Sequence, residues 1–229
     1  KVVLDAGHGG GDPGAIYNGV QEKNITLKTT LLVGEILDKE SDIQVVYTRK
    51  ADVSVDLNDR AKIANKAHAN LFVSIHCNST PKPTTAHGTE TFVMGVTKNA
   101  SNLEVARREN EVITLEKDYK IKYDGYDPKS PESVIGMSVM QEDNLNHSIE
   151  LAALIEKNFE RANRNSRGVK QAGFLVLRDI YMPRVLVELG FLTNKEELKF
   201  INSNDGQKKL AQQIAKSIIS YKKEYFGES

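Results

Sequence analysis

Apolar and polar positions along this chain fall into two alternating rhythms. Short, nearly continuous apolar runs recur at residues 2–6 (VVLDA), 43–48 (IQVVYT), 71–76 (LFVSIH), 89–95 (TETFVMG), 174–177 (FLVL) and 184–189 (RVLVEL). Their length and β-branched content predict buried strands. Between them, spaced apolar positions predict helices over 25–37 with Leu27 and Leu31, from about Leu57 with Ala61, Ala64 and Ala67, over 145–162, and over 205–221. Strands alternating with helices predict an α/β fold. The expectation is a single domain over 1–229, with a mostly parallel twisted sheet of about six strands flanked by helices on both faces. The rhythm breaks once. Residues 97–144 are polar and charged, with Tyr119, Tyr123, Tyr126, Pro128 and Pro131, and read as a helical insertion.

Composition narrows the function classes without choosing one. Apolar residues are 39% of the 229, enough to bury a full core. Lys plus Arg and Asp plus Glu number 31 each, so the basic excess that marks nucleic-acid binders is missing and no such partner is expected. No apolar run is long enough to span a bilayer. A single cysteine, Cys77, excludes an internal disulfide framework. The chain opens at Lys1 directly on a strand, so a removed leader or an excised domain is expected. A monomer is expected.

Chemistry-bearing residues gather where strands end, the edge at which open α/β sheets bind ligands. His8 follows the first strand inside a glycine-rich loop, His76 ends the strand LFVSIH, and Glu22 lies just before a helix. Two histidines and a carboxylate are the ligand set of a catalytic zinc site that keeps one position open. Singly, each has a plainer reading: a loop histidine bonded locally, a strand-end histidine satisfied by backbone, an acid favoured by the helix dipole. Their shared sheet edge favours the metal. Glu188, in VLVELGF, sits on an apolar strand where an unpaired carboxylate is costly. It is the candidate general base for a hydrolytic zinc; an ion pair with Arg178 or Arg184 is the alternative.

Gly9, Gly11 and Gly14 also satisfy a dinucleotide fingerprint. Asp12-Pro13 interrupts it, and helical periodicity starts only near Asn24, so no helix N-terminus is there to hold a phosphate. His68, His87 and His147 are expected outside the ligand set, with His87 bordering the site. Strand alternation turns Cys77 away from His76.

Several segments occur in a fixed order: LDAGHGGGDPGA, the acid of QEKN, YTR (47–49), LNDRAKIAN (57–65) and SIHCN (74–78), then HGTETFV (87–93), FLVLR (174–178) and PRVLVELGFLTN (183–194). With them, most of the chain resembles the zinc-dependent N-acetylmuramoyl-L-alanine amidases of the type called amidase 3. The resemblance implies zinc held by His8, Glu22 and His76, no other cofactor, and Glu188 as the catalytic acid. The implied substrate is the amide joining the lactyl group of N-acetylmuramic acid to L-alanine in peptidoglycan, and the implied use is wall remodelling and daughter-cell separation. Two other readings use the same residues: a zinc carboxypeptidase acting on the peptide stem, and an inactive wall-binding module.

The 97–144 insertion resembles the extra helical segment of cell-separation amidases of Gram-negative bacteria. There a helix plugs the cleft and offers a glutamate to the zinc until an activator protein displaces it. On LEVARRENEVI (103–113) this makes Glu109 or Glu111 the inhibitory zinc ligand; a charged, solvated helix is the alternative. A peptidoglycan substrate places the protein outside the cytoplasm, and the insertion favours the periplasm.

Overall fold

A six-stranded sheet with helices on both faces organises the computed structural model, which describes residues 1–128, 130, 132–133 and 144–227. β1 (Val2–Ala6) lies between β4 (Val45–Tyr47) and β5 (Leu71–Asn78), and β8 (Arg184–Phe191) follows β5, all parallel. β6 (Thr89–Met94) pairs antiparallel with β8, and β7 (Ser166–Ala172) pairs parallel with β6. The sheet is therefore mostly parallel, as the alternation of strands and helices implies.

Residues of period two divide the sheet between two cores. Leu71, Val73, Ile75 and Cys77 of β5 pack with α1 (Glu22–Leu37), α5 (Leu145–Arg161) and α8 (Asn204–Phe226). Phe72, with Phe92 and Leu186 from the neighbouring strands, packs with α2 (Leu57–Lys66), α3 (Ala100–Asn110) and α6 (Leu175–Arg178). All eight residues of β5 and of β8 are buried, so the two strands that carry His76 and Glu188 lie at the centre of the molecule.

The run 174–177 is not a strand. Phe174 precedes α6, and Leu175, Val176 and Leu177 are buried against the second core. A four-residue apolar run has no period with which to separate strand from buried helix. The sixth strand is instead β7, whose sequence SRGVKQA carries little apolar signal because it is an edge strand with one neighbour. Helix α1 starts at Glu22, not after it, and a two-residue hairpin, β2 (Ile16–Tyr17) and β3 (Val20–Gln21), joins the glycine loop to it. α7 (Lys195–Ile201) also lacked a sequence prediction.

Within the expected insertion lie α3, a 3-10 turn (Glu111–Leu115) and α4 (Tyr119–Lys122). Residues 129, 131 and 134–143 of it fall outside the described set. Val105, Ala106, Ile113 and Tyr123 are buried in the second core, so the segment is packed against the domain and is not a solvated helix. Burial of side chains the size of Val105 and Ile113 stabilises by about 1.5–3 kcal/mol each.

Candidate metal centre

β1 ends at Ala6, and the chain then bends at His8, whose φ is 61°. This left-handed conformation costs a non-glycine residue roughly 1–3 kcal/mol. Two buried arginines hold the bend. Arg60 donates to the carbonyls of Ala6 (2.7 Å) and His8 (2.9 Å) and pairs with Asp5 at 2.6 Å. Arg49 donates to the carbonyls of Ala6 (3.0 Å) and Gly7 (2.8 Å). Gly7 has no room for a side chain, since a Cβ there would lie 2.4–2.7 Å from the His76 ring.

His8 is oriented by Asp12, whose Oδ2 lies 2.6 Å from Nδ1, leaving Nε2 to face inward. That Nε2 is 3.1 Å from Glu22 Oε1 and 3.2 Å from Glu109 Oε2. His76 Nδ1 lies 3.4 Å and 3.0 Å from the same two oxygens. Glu22 is fixed in turn by the backbone, accepting from the N–H groups of Ala15 (2.9 Å) and Cys77 (2.8 Å). One ligand atom from each of His8, Glu22, His76 and Glu109 falls within 4.8 Å of the others. The structure thus brings together the three residues expected as zinc ligands, and adds Glu109. Glu111 is directed elsewhere, half-exposed and 3.5 Å from Arg107.

These residues fit a divalent cation. His8 Nε2, His76 Nδ1 and Glu109 Oε2 are buried without a hydrogen-bond partner among the described residues, a costly state for polar atoms that converge on one point. Two imidazoles with carboxylates are a donor set that suits zinc. The electrostatics agree. Burial opposes a charge on His8, but Glu22, Asp12 and Glu109 outweigh it and raise the ring's pKa well above normal. Burial likewise opposes charge on Glu109, yet His76 and Arg108 hold its carboxyl well below the usual range. The pocket is therefore built for positive charge at its centre.

Glu188 is fully buried, stands beside His76 in the β5–β8 register, and has neither oxygen hydrogen-bonded among the described residues. Burial, then the charge of Glu109, pushes its carboxyl well above the usual range. Arg178 pairs with Asp179 at 2.8 Å, and the cation that approaches Glu188 is Arg108, at 3.7 Å. A cavity of about 320 Å³ opens beside the centre, with Asp5, Arg60, His76, Glu109, Glu116 and Val176 among its lining.

The remaining histidines stand apart. His68, His87 and His147 are exposed, and His87 bonds to the carbonyl of Thr85 without bordering the centre. Cys77 points into the opposite core, where burial raises its thiol pKa. The roles of Asp12, Arg49, Arg60 and Arg108 at the centre escaped the sequence reading. Arg49 and Arg60 lie within the matching segments, but the carbonyls of the His8 bend that they hold are more than forty positions away.

A family model described as N-acetylmuramoyl-L-alanine amidase matches residues 2–220. The N-acetylmuramoyl-L-alanine amidase AmiA of Escherichia coli (strain K12) is 34% identical over 230 residues, covering 96% of this chain and 75% of that protein. An N-acetylmuramoyl-L-alanine amidase structure from Clostridium difficile 630 superposes with a TM-score of 0.71 at 29% identity, covering 96% of this chain and 95% of that one. The CwlD amidase from Clostridioides difficile, solved in complex with the GerS lipoprotein, superposes with a TM-score of 0.68 at 28% identity, covering 96% of each chain.

Proposed function

The chain belongs to the N-acetylmuramoyl-L-alanine amidase family, and from that premise we propose that it hydrolyses the amide between N-acetylmuramic acid and L-alanine in peptidoglycan. His8, Glu22 and His76 would hold zinc, which supplies Lewis acidity toward the scissile carbonyl and the attacking water. The observation that carries the reading is the convergence of buried, unpartnered donor atoms beside the buried, unpartnered carboxylate of Glu188. Glu188 takes a proton from the water as it attacks and returns it to the departing alanine nitrogen. A carboxyl whose pKa burial has raised suits a group that must both accept and release that proton. Family membership sets aside the carboxypeptidase and wall-binding readings.

The same geometry supports a blocked resting state. Glu109 fills the fourth place around the centre, and Arg108 lies 3.7 Å from Glu188 while donating to Glu109 at 2.8 Å and to the carbonyl of Ser79 at 2.5 Å. One turn of α3 thus brings Glu109 to the donor atoms that would hold the metal and Arg108 to the neighbourhood of the base. Asn110 latches that turn, donating to Tyr126 Oη (2.6 Å) and the Gly173 carbonyl (2.8 Å) and accepting from the Leu175 N–H (2.8 Å). Opening the site requires a partner that replaces these contacts, and a protein activator fits that requirement. The CwlD–GerS complex supports a partner on an amidase of this fold. Action on peptidoglycan places the enzyme outside the cytoplasm; the blocking segment supports the periplasm and a role in cell separation, where activity has to be timed.

The test is mass spectrometry of products from purified sacculi, with zinc-loaded protein, with and without a chelator. Peptides beginning at L-alanine, lost on chelation, are the expected result. Release of single C-terminal amino acids with the sugar–peptide bond intact would overturn the reading.

A further inference from the structure

Beyond Glu188, on the side away from the metal ligands, the sheet continues as a row of charged residues that the hydrolysis does not use. His76 is in register with Glu188 across β5 and β8, and Glu188 with Glu90 across β8 and β6. All three share the face that holds Phe72, four residues from His76, and Leu186 and Phe92, two residues from Glu188 and Glu90. On β7, Arg167 bonds to Glu90 Oε1 through its Nε, and Lys170 Nζ lies 2.9 Å from the same oxygen. Asn78 donates to the other oxygen of Glu90 at 3.0 Å. Neighbouring strands are about 4.8 Å apart, so the row from His76 to Arg167 runs about 14 Å, the length of about four extended residues.

Charge and direction decide what lies on this row. One buried carboxylate, Glu90, faces two cations, which leaves one positive charge in excess at the outer end. The Arg167 and Lys170 side chains are 34% and 19% exposed, so their outer surfaces are accessible while Glu90 anchors them. Arg167 also stacks over the Phe191 ring at 5.1 Å, which fixes its plane. In the proposed hydrolysis the carbonyl oxygen is drawn to the metal side and the departing nitrogen to Glu188. The chain attached to that nitrogen therefore continues past Glu188, over Glu90, toward Arg167 and Lys170. Helix α3 follows the same course, from Asn102 on the Gln171 carbonyl of β7 (3.4 Å) to Glu109 at the metal centre.

We propose that Glu90, Arg167 and Lys170 form the subsite for the leaving peptide, with the two cations receiving a carboxylate of that peptide. The proposal rests on the amidase reading above. It makes α3 a stand-in for the peptide, so that blocking the metal and covering this subsite are one event.

The experiment compares two soluble N-acetylmuramoyl peptides, one with free carboxylates along the peptide and one with those groups converted to carboxamides. Both are offered to the protein and to its Glu109→Ala variant, zinc-loaded. The free acid is expected to be cleaved with a kcat/KM about tenfold higher, the difference lying in KM, as for loss of a charge-assisted contact outside the reacting bond. Arg167→Gln should remove the preference and Arg167→Lys should retain it, with thermal midpoints checked for both. Equal cleavage of acid and amide by the unmodified enzyme would overturn the subsite and leave the amidase reading intact. Failure of both proteins to cleave either compound, with zinc bound, would overturn the amidase reading and the subsite with it.

Discussion

The loop that carries His8 and the segment that carries Glu109 bring candidate metal ligands to the same point by opposite means. The loop is tied through its backbone. Arg49 and Arg60 bind the carbonyls of Ala6, Gly7 and His8; Asp52 accepts from the Gly10 N–H at 2.7 Å; Lys23 bonds to the Gly10 carbonyl at 2.8 Å. Loss of one of the buried arginines strands polar groups that have no water to turn to. The α3 segment is tied mainly through side chains: Val105, Ala106, Ile113 and Tyr123 in the core, the Asn110 latch, and rim contacts such as Lys122 with Asp56 at 2.6 Å. Its outer surface carries the half-exposed Glu104, Arg107 and Glu111. Apolar contacts of this kind are non-directional and another surface can replace them. In the blocked state proposed above, the loop is the part that stays and the segment the part that leaves.

That contrast is sharpened most by Glu188→Gln, which alters the fixed half. Turnover should fall by about 10²–10⁴, the usual worth of a positioned proton carrier, while zinc content measured by atomic absorption stays stoichiometric. Retained activity would remove Glu188 from its role. Next in size is Arg49→Lys. Among the described residues Arg49 makes no ion pair with a carboxylate; burial, then the charge of Arg60, lowers its pKa to about 10. Lysine keeps the charge but cannot reproduce the forked contact to two successive carbonyls. Zinc affinity, read by chelator competition, should weaken within the 10–100-fold range typical of groups that orient ligands, and the thermal midpoint should fall as well, because buried carbonyls lose their donor. An unchanged affinity would show that the His8 bend holds itself.

Legibility in the sequence follows the same division. His8, Glu22, His76 and Glu188 are legible in the sequence because His8 follows a strand, Glu22 adjoins a helix start, and His76 and Glu188 stand in apolar strand runs, all at the edge where a parallel sheet binds ligands. The fourth acid at the centre is legible in the sequence only as a choice between Glu109 and Glu111, because two positions so close in sequence differ by a rotation that only packing decides. Here Val105, Ala106 and Asn110 are buried on one side of α3, and that turns Glu109 inward. β7 was missed because an edge strand needs little apolar surface, and the buried α6 was misread as a strand for having too much. The roles of Arg49 and Arg60 were illegible for a different reason. An arginine bonded to backbone carbonyls leaves no pattern in side-chain identity, since any residue offers a carbonyl.

The smallest expected effect bears on the detachable half. Glu109→Ala empties the fourth place without disturbing the apolar contacts of α3, whereas excising the segment would uncover the second core around Phe92 and Phe174 and unsettle the fold. The substitution also frees Arg108, whose nearest remaining carboxylate is Glu188 at 3.7 Å. A pairing there would hold the base and oppose the gain. Basal release of label from dyed sacculi, with no partner present, should therefore rise only about tenfold, a shift of about 1.4 kcal/mol in the balance of open and blocked forms. The double variant Arg108→Ala/Glu109→Ala should rise further, because it clears the metal and the base together. If the single variant matches wild type and the double variant does not, Arg108 is the principal block. If neither rises, α3 is a fixed part of the domain and the contrast between the two ligand-bearing regions fails.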